Sequence, residues 1–149
     1  MREGIGSTVM VAIIAVFIAV VSGYLAFNVN YMKAFNMKNK IIDYFNKYEG
    51  ECTNTSGDCY SDIEKYAKSI GYHPLDLNCG EYDHTTYYCY KSKDYYEKTK
   101  MSEIDDTNRG VYYEIVTRVD INIPIVENVF KGVNVFFVKG NTKVFKNVK

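Results

Sequence analysis

Residues 5–27 read IGSTVMVAIIAVFIAVVSGYLAF, 23 positions without a charged side chain. At about 1.5 Å rise per residue, a helix of that length crosses the ~30 Å hydrocarbon core of a bilayer. Its apolar residues are not confined to one stripe. Val9, Met10, Val11, Ile13, Ile14, Val16, Phe17, Ile18, Val20 and Val21 surround the axis. A helix resting on a soluble core shows one apolar face instead, so the pattern is that of a helix bathed in lipid. Small residues run along it at Ala12, Ala15 and Ala19, with Ser22, Gly23 and Ala26 below. Such a seam lets helices approach closely. The span is too long for an ordinary cleaved signal peptide and lacks an A-x-A-like exit.

The helix is expected to continue beyond the span. Phe27, Tyr31, Ala34, Phe35, Ile41, Ile42, Phe45 and Tyr48 fall mostly at steps of three and four. That spacing predicts an amphipathic extension over 28–48, which Gly50 ends. The organisation is then a short polar leader at 1–4, a transmembrane helix at 5–27, its amphipathic extension, and a head at 49–149. Roughly 120 residues beyond the span suffice for one small domain with a core.

Four cysteines, Cys52, Cys59, Cys79 and Cys89, all follow the span. An even count behind a membrane segment reads as two disulfides formed in an oxidising compartment. Locality favours 52–59 with 79–89 among the three possible pairings. Zinc is the rival, with His73 and His84 close by, but the chain has no CxxC knuckle. The cysteines place the head outside the cell membrane. Lysines at 33, 38 and 40 argue weakly the other way, and a long domain translocates against so small a bias.

Within the head, residues 61–70 read as a short helix. Ser61 is its expected N-cap, with Glu64 at the capping-box position, and Gly71 stops it. Asn54-Thr55-Ser56 forms a glycosylation sequon in the preceding loop, a tripeptide common by chance. Thr85 to Tyr90 looks strand-like, and Lys91 to Arg109 looks like a connector. Residues 111–123 are the clearest strand: Val111, Tyr113, Ile115, Val119, Ile121 and Ile123 share one face, with Thr117 its weak member. Val116 is the apolar exception on the other face. Pro124 ends the strand, residues 125–130 read as a helical turn, and a last strand starts at Val133. Val144 and Phe145 extend that strand or return beside it, and Gly140-Asn141 is a turn or a bulge. The expected fold class is α+β: a long N-terminal transmembrane-plus-amphipathic helix, a short helix and a small antiparallel β-meander.

The totals exclude some functions. Lys plus Arg and Asp plus Glu number 18 each, so no basic field points to nucleic acid. No nucleotide-binding or hydrolase motif is present, which argues against an enzyme and against cofactors. Asp105-Asp106 and the Asp83-His84 pair sit in polar stretches better read as solvated loop. Tyr is frequent at 15 residues. Tyr87, Tyr88, Tyr90, Tyr95 and Tyr96 offer either a partner- or carbohydrate-binding surface or plain sheet packing.

The layout resembles type IV pilin-like proteins, in particular the TadE-like branch of pilus-assembly proteins (minor pilins or pseudopilins). Three stretches carry the resemblance. Arg2, Gly4 and Gly6-Ser7-Thr8-Val9 open the apolar helix, YMKAFNMKNKIIDYFNKYEG at 31–50 follows it, and YYEIVTRVDINIPIVENVF with VNVFFVKGNTKVF closes the chain. The resemblance implies a helix held in the bilayer and then drawn into a filament core beside other pilin-like subunits. It also implies an outward-facing head, and it makes Gly4 and Gly6 the possible processing points, with an uncleaved leader left open. Many relatives carry a glutamate where this chain has Met10, so an accessory or minor subunit is implied rather than a bulk one. The alternative is a membrane-anchored binding module that never polymerises, with a Tyr-rich surface for an unidentified extracellular ligand.

Overall fold

The computed structural model describes residues 2–74, 77, 79–96, 109–120 and 135–146. The chain is mixed α+β. One helix, α1 (Arg2–Lys47), runs without a break for 46 residues, roughly 70 Å. A 3-10 turn (Glu51–Thr53) leads to α2 (Asp58–Ile70). Five antiparallel strands follow: β1 (Asp83–His84), β2 (Cys89–Tyr96), β3 (Arg109–Asp120), β4 (Val135–Asn141) and β5 (Phe145–Lys146). The sheet order is β1-β2-β3-β4, and β5 pairs with β3 beyond the end of β4.

The second half of α1 is the floor of the head. Ala34, Met37, Ile41 and Phe45 are fully buried, at steps of three and four that keep them on one face. They meet Ile115 and Val119 of β3, Val138 of β4, and Ile63 and Ala67 of α2 in one apolar cluster. Each large side chain in such a cluster contributes about 1.5–3 kcal/mol by leaving water. The buried stripe differs from the expected one. Tyr31 and Phe35 lie exposed, while Met37 and the stem of Lys38 face inward. The sheet covers a face rotated from that which the aromatics alone define.

Helix α2 begins a turn earlier than its sequence signals. Gly57 precedes it, and Ser61 sits inside the first turns with no capping role. Its end is as expected: Gly71 takes φ 62°, and Tyr72 N–H donates to Ala67 O while Gly71 N–H donates to Lys68 O. This is the paired closure that satisfies the last carbonyls of a helix.

The strands correct two readings. β2 starts only at Cys89 and runs on through Tyr96, so Lys91–Tyr96 is strand and not connector. Residues 85–88 are instead a tight turn, in which Thr85 N–H and Oγ1 both donate to Tyr88 O. On β4, Gly140 and Asn141 are paired strand residues, opposite Ile115 and Glu114. The irregularity comes just after. Between the Glu114–Asn141 and Val111–Phe145 pairs, three steps of β3 face four of its partner, a one-residue bulge. Thr142 fills it, donating N–H to Tyr113 O and accepting Tyr113 N–H on Oγ1. Residues 121–134, including Ile121, Ile123 and the turn expected at 125–130, lie outside the described residues, as do Asp105 and Asp106.

Candidate functional site

Most of the first half of α1 is exposed. Met10, Val16, Phe17 and Val20 are each about two-thirds exposed, and none of the most apolar window is covered. This is one helix long and apolar enough to cross a membrane. An apolar surface of this extent is far larger than a water-facing helix carries and marks a lipid or protein contact. Ala12, Ala15, Ala19, Ser22 and Ala26 recur at three- and four-residue steps, which sets them on one side of the rod beside Gly23. Ala12, Ala15 and Ser22 are exposed, and Ala19, Gly23 and Ala26 partly covered. Gly4 and Gly6 both fall inside the helical stretch, and Gly6 is exposed with open space around it.

The passage from rod to head is aromatic. Phe27 stacks with Tyr31 at 6.1 Å and meets Phe136 of β4 edge-on at 5.6 Å. Tyr31 in turn stacks with Phe35 at 6.4 Å, and the Lys38 amine lies 4.2 Å above the Phe35 ring. Lys33, the first charge after the span, reaches Gly71 O at 3.4 Å. It adds a cation to the carbonyl end of α2, where the helix dipole favours one.

Two disulfides, Cys52–Cys59 and Cys79–Cys89, bracket the head, with Cα separations of 5.2 and 6.4 Å. They occupy different cores. Cys52 and Cys59 belong to the cluster between α1, α2 and the sheet. Cys89 belongs to a smaller cluster on the opposite face of the sheet, with Leu77 and Val116, against which Cys79 and Tyr82 pack. Val116, the apolar exception on its side of β3, is buried there by the chain that the second disulfide holds down.

Most of the tyrosine run is internal. Tyr88 is fully buried and donates to Cys52 O at 2.6 Å, and Tyr90 donates to Thr53 O at 3.3 Å. Tyr87 is buried against Tyr60. Burial raises the pKa of all three hydroxyls above the ordinary tyrosine value. Tyr88 and the half-buried Tyr90 therefore tie the first disulfide loop to the start of β2, while Tyr87 packs against α2. Tyr95 is exposed.

The outer face of the sheet carries the charge. Lys93 pairs with Glu114 across β2 and β3, Lys139 donates to Tyr82 Oη at 3.1 Å, and Lys91 pairs with Glu81 at 3.0 Å. The Lys93 hydrogen bond holds the Glu114 carboxyl below its usual range. Of these, Lys93–Glu114 is a cross-strand ion pair, Lys91–Glu81 joins β2 to the residues before β1, and Lys139 bonds to a neutral hydroxyl. Among the described residues, no group of three His, Cys, Asp or Glu is placed to hold a metal ion. His73 and His84 are both exposed and separate. Comparison with family models, curated proteins and solved structures gives no match for this chain.

The candidate functional surface is thus the exposed apolar helix and its aromatic junction with the head. Composition signals the first directly. The second is missed from sequence because Phe27 and Phe136 are brought together only by the antiparallel course of β3 and β4 along α1.

Proposed function

We propose that this protein is a membrane-anchored, pilin-like (TadE-like) accessory or minor subunit of a pilus or secretion filament, with its head outside the cell membrane. The observation that carries the reading is the division of one unbroken helix. Its first half is bare and apolar, and its second half is built into the head, so the anchor and the head move as one body. A bare helix with a small-residue seam suits packing first in lipid and then against other such helices. The two disulfides support an oxidising side for the head.

The test is the intact mass and N-terminal sequence of the protein from native membranes and from sheared surface filaments, with thiol labelling before and after reduction. The expected result is a new N-terminus just after Gly4 or Gly6, recovery in the filament fraction, and label only after reduction. Ala15→Asp, which charges the seam, is expected to abolish recovery in filaments. An uncut chain with oxidised cysteines, confined to membranes, would point instead to a permanently anchored binding module. Four thiols labelled without reduction would overturn the outward orientation.

A further inference from the structure

We infer that the head is seated on the bilayer by an aromatic collar, formed by Phe27 and Tyr31 of α1 with Phe136 and Phe137 of β4, lying at the level of the lipid glycerol and headgroups. The inference rests on the membrane-anchored reading and adds to it where the head sits.

The argument starts from depth. The uncharged run at 5–27 is long enough to cross the hydrocarbon, and its last residue, Phe27, stands at the far edge. Phe27 is in edge contact with Phe136, so the start of β4 stands at that same edge. Phe136 and Phe137 are 41% and 40% exposed there, on opposite faces of their strand, and Tyr31 is 42% exposed one helical turn beyond Phe27. Phe27, Tyr31 and Phe136 cluster where the rod meets the sheet, with Tyr31 about 6 Å further along the axis than Phe27, and Phe137 lies near that level on the other face of the sheet. Tyr31 suits that height because its ring is apolar and its hydroxyl polar, and the three phenylalanine rings add apolar area that would face the acyl chains just below.

The head points away from this end. β3 runs antiparallel to α1: Val119 is opposite Phe136, Thr117 bonds to Ala34, and Tyr113 packs at a tilt against Phe45. From Phe27 to Phe45 the helix climbs about 27 Å. Tyr95, paired with Gly110 beyond Tyr113, is thus at the far end of the head and equally exposed at 40%. Exposed aromatics at the two ends of one sheet make opposite predictions for lipid contact.

The chain has no Trp, so a single introduced Trp reports its own position. The full chain is reconstituted in phosphatidylcholine vesicles whose acyl chains carry bromine at a shallow or a deep position. Three variants are compared: Phe17→Trp in the span, Phe137→Trp in the collar and Tyr95→Trp at the far end. The expected result is quenching of Phe17→Trp chiefly by deep bromine, of Phe137→Trp chiefly by shallow bromine, and of Tyr95→Trp by neither. Quenching of Phe17→Trp without Phe137→Trp would overturn the collar and leave the anchor standing. Equal quenching of Phe137→Trp and Tyr95→Trp would mean a head lying flat on the bilayer and would also overturn it. Absence of quenching at Phe17→Trp would remove the anchor, and the collar with it.

Discussion

The Thr117 hydroxyl donates a 3.0 Å hydrogen bond to the Ala34 carbonyl oxygen, joining the middle of β3 to the middle of α1. Both residues are fully buried. The small Ala34 side chain lets the strand come close enough for the bond, and the hydroxyl avoids the cost of burial without a partner. Thr117→Val keeps the shape and removes the donor. It is expected to lower the stability of the head by about 1 kcal/mol. Urea unfolding in detergent, followed by near-ultraviolet circular dichroism, reads the shift, and an unchanged midpoint would show that the bond adds nothing net.

The Tyr88 hydroxyl sets an alkaline limit. Burial first, and the neighbouring Tyr90 next, raise its pKa above the usual value, with Tyr87 and Tyr90 raised in the same direction by burial. The unfolded chain releases these protons from about pH 10 while the folded chain keeps them. Stability from this source is therefore complete below about pH 10 and falls as the pH rises beyond it. Tyr88→Phe is expected to cost about 1–2 kcal/mol near neutrality, since Cys52 O loses its donor. The same variant should show a flatter decline between about pH 10 and 12, measured by unfolding midpoints across that range. Parallel curves for the two proteins would count against a titrating Tyr88.

Two neighbouring residues at the end of α1 should respond with opposite signs. Glu49 takes φ 51°, a left-handed conformation that costs a side-chain-bearing residue about 1 kcal/mol. Glu49→Gly is expected to stabilise the head by about 0.5–1 kcal/mol. Gly50 has φ 92°, and a Cβ there would stand 2.9 Å from Tyr113 Cε2. Gly50→Ala should therefore destabilise by more than about 1 kcal/mol. Thermal melts of the two variants against the parent check the pair, and a shared sign would contradict the backbone assignment.

What the sequence made legible followed from strong periodicity. The uncharged run at 5–27, the continuing helix and the alternation along β3 each repeat one rule over many residues. Thr117, the weak member of its face, turned out to be as buried as Ile115 because it has the Ala34 carbonyl to serve. The start of α2 was misread because Ser61 offers a good capping side chain, yet the disulfide at Cys59 and the cluster around Ile63 draw the preceding turn into the helix. β2 was half missed because Lys91 and Lys93 look solvated in isolation. Their partners Glu81 and Glu114 are distant in sequence, and only the pairing with β3 makes a strand of them. The bulge was half legible: Gly140-Asn141 signals a turn or a bulge, but its place just beyond that pair depends on how the register of β4 meets that of β5.

The buried stripe of Ala34, Met37, Ile41 and Phe45 belongs to the same rod as the exposed apolar stretch, and this decides how the molecule answers force. A pull on the apolar end travels along a single column of helical hydrogen bonds into the head with no linker to stretch. Because β3 lies along the rod, drawing α1 out must slide the whole stripe past the sheet at once. Such loading in shear shares the tension among all the contacts, whereas a peeling geometry would break them one by one. A head mounted in this way resists a pull along the helix axis far better than it resists being pried sideways.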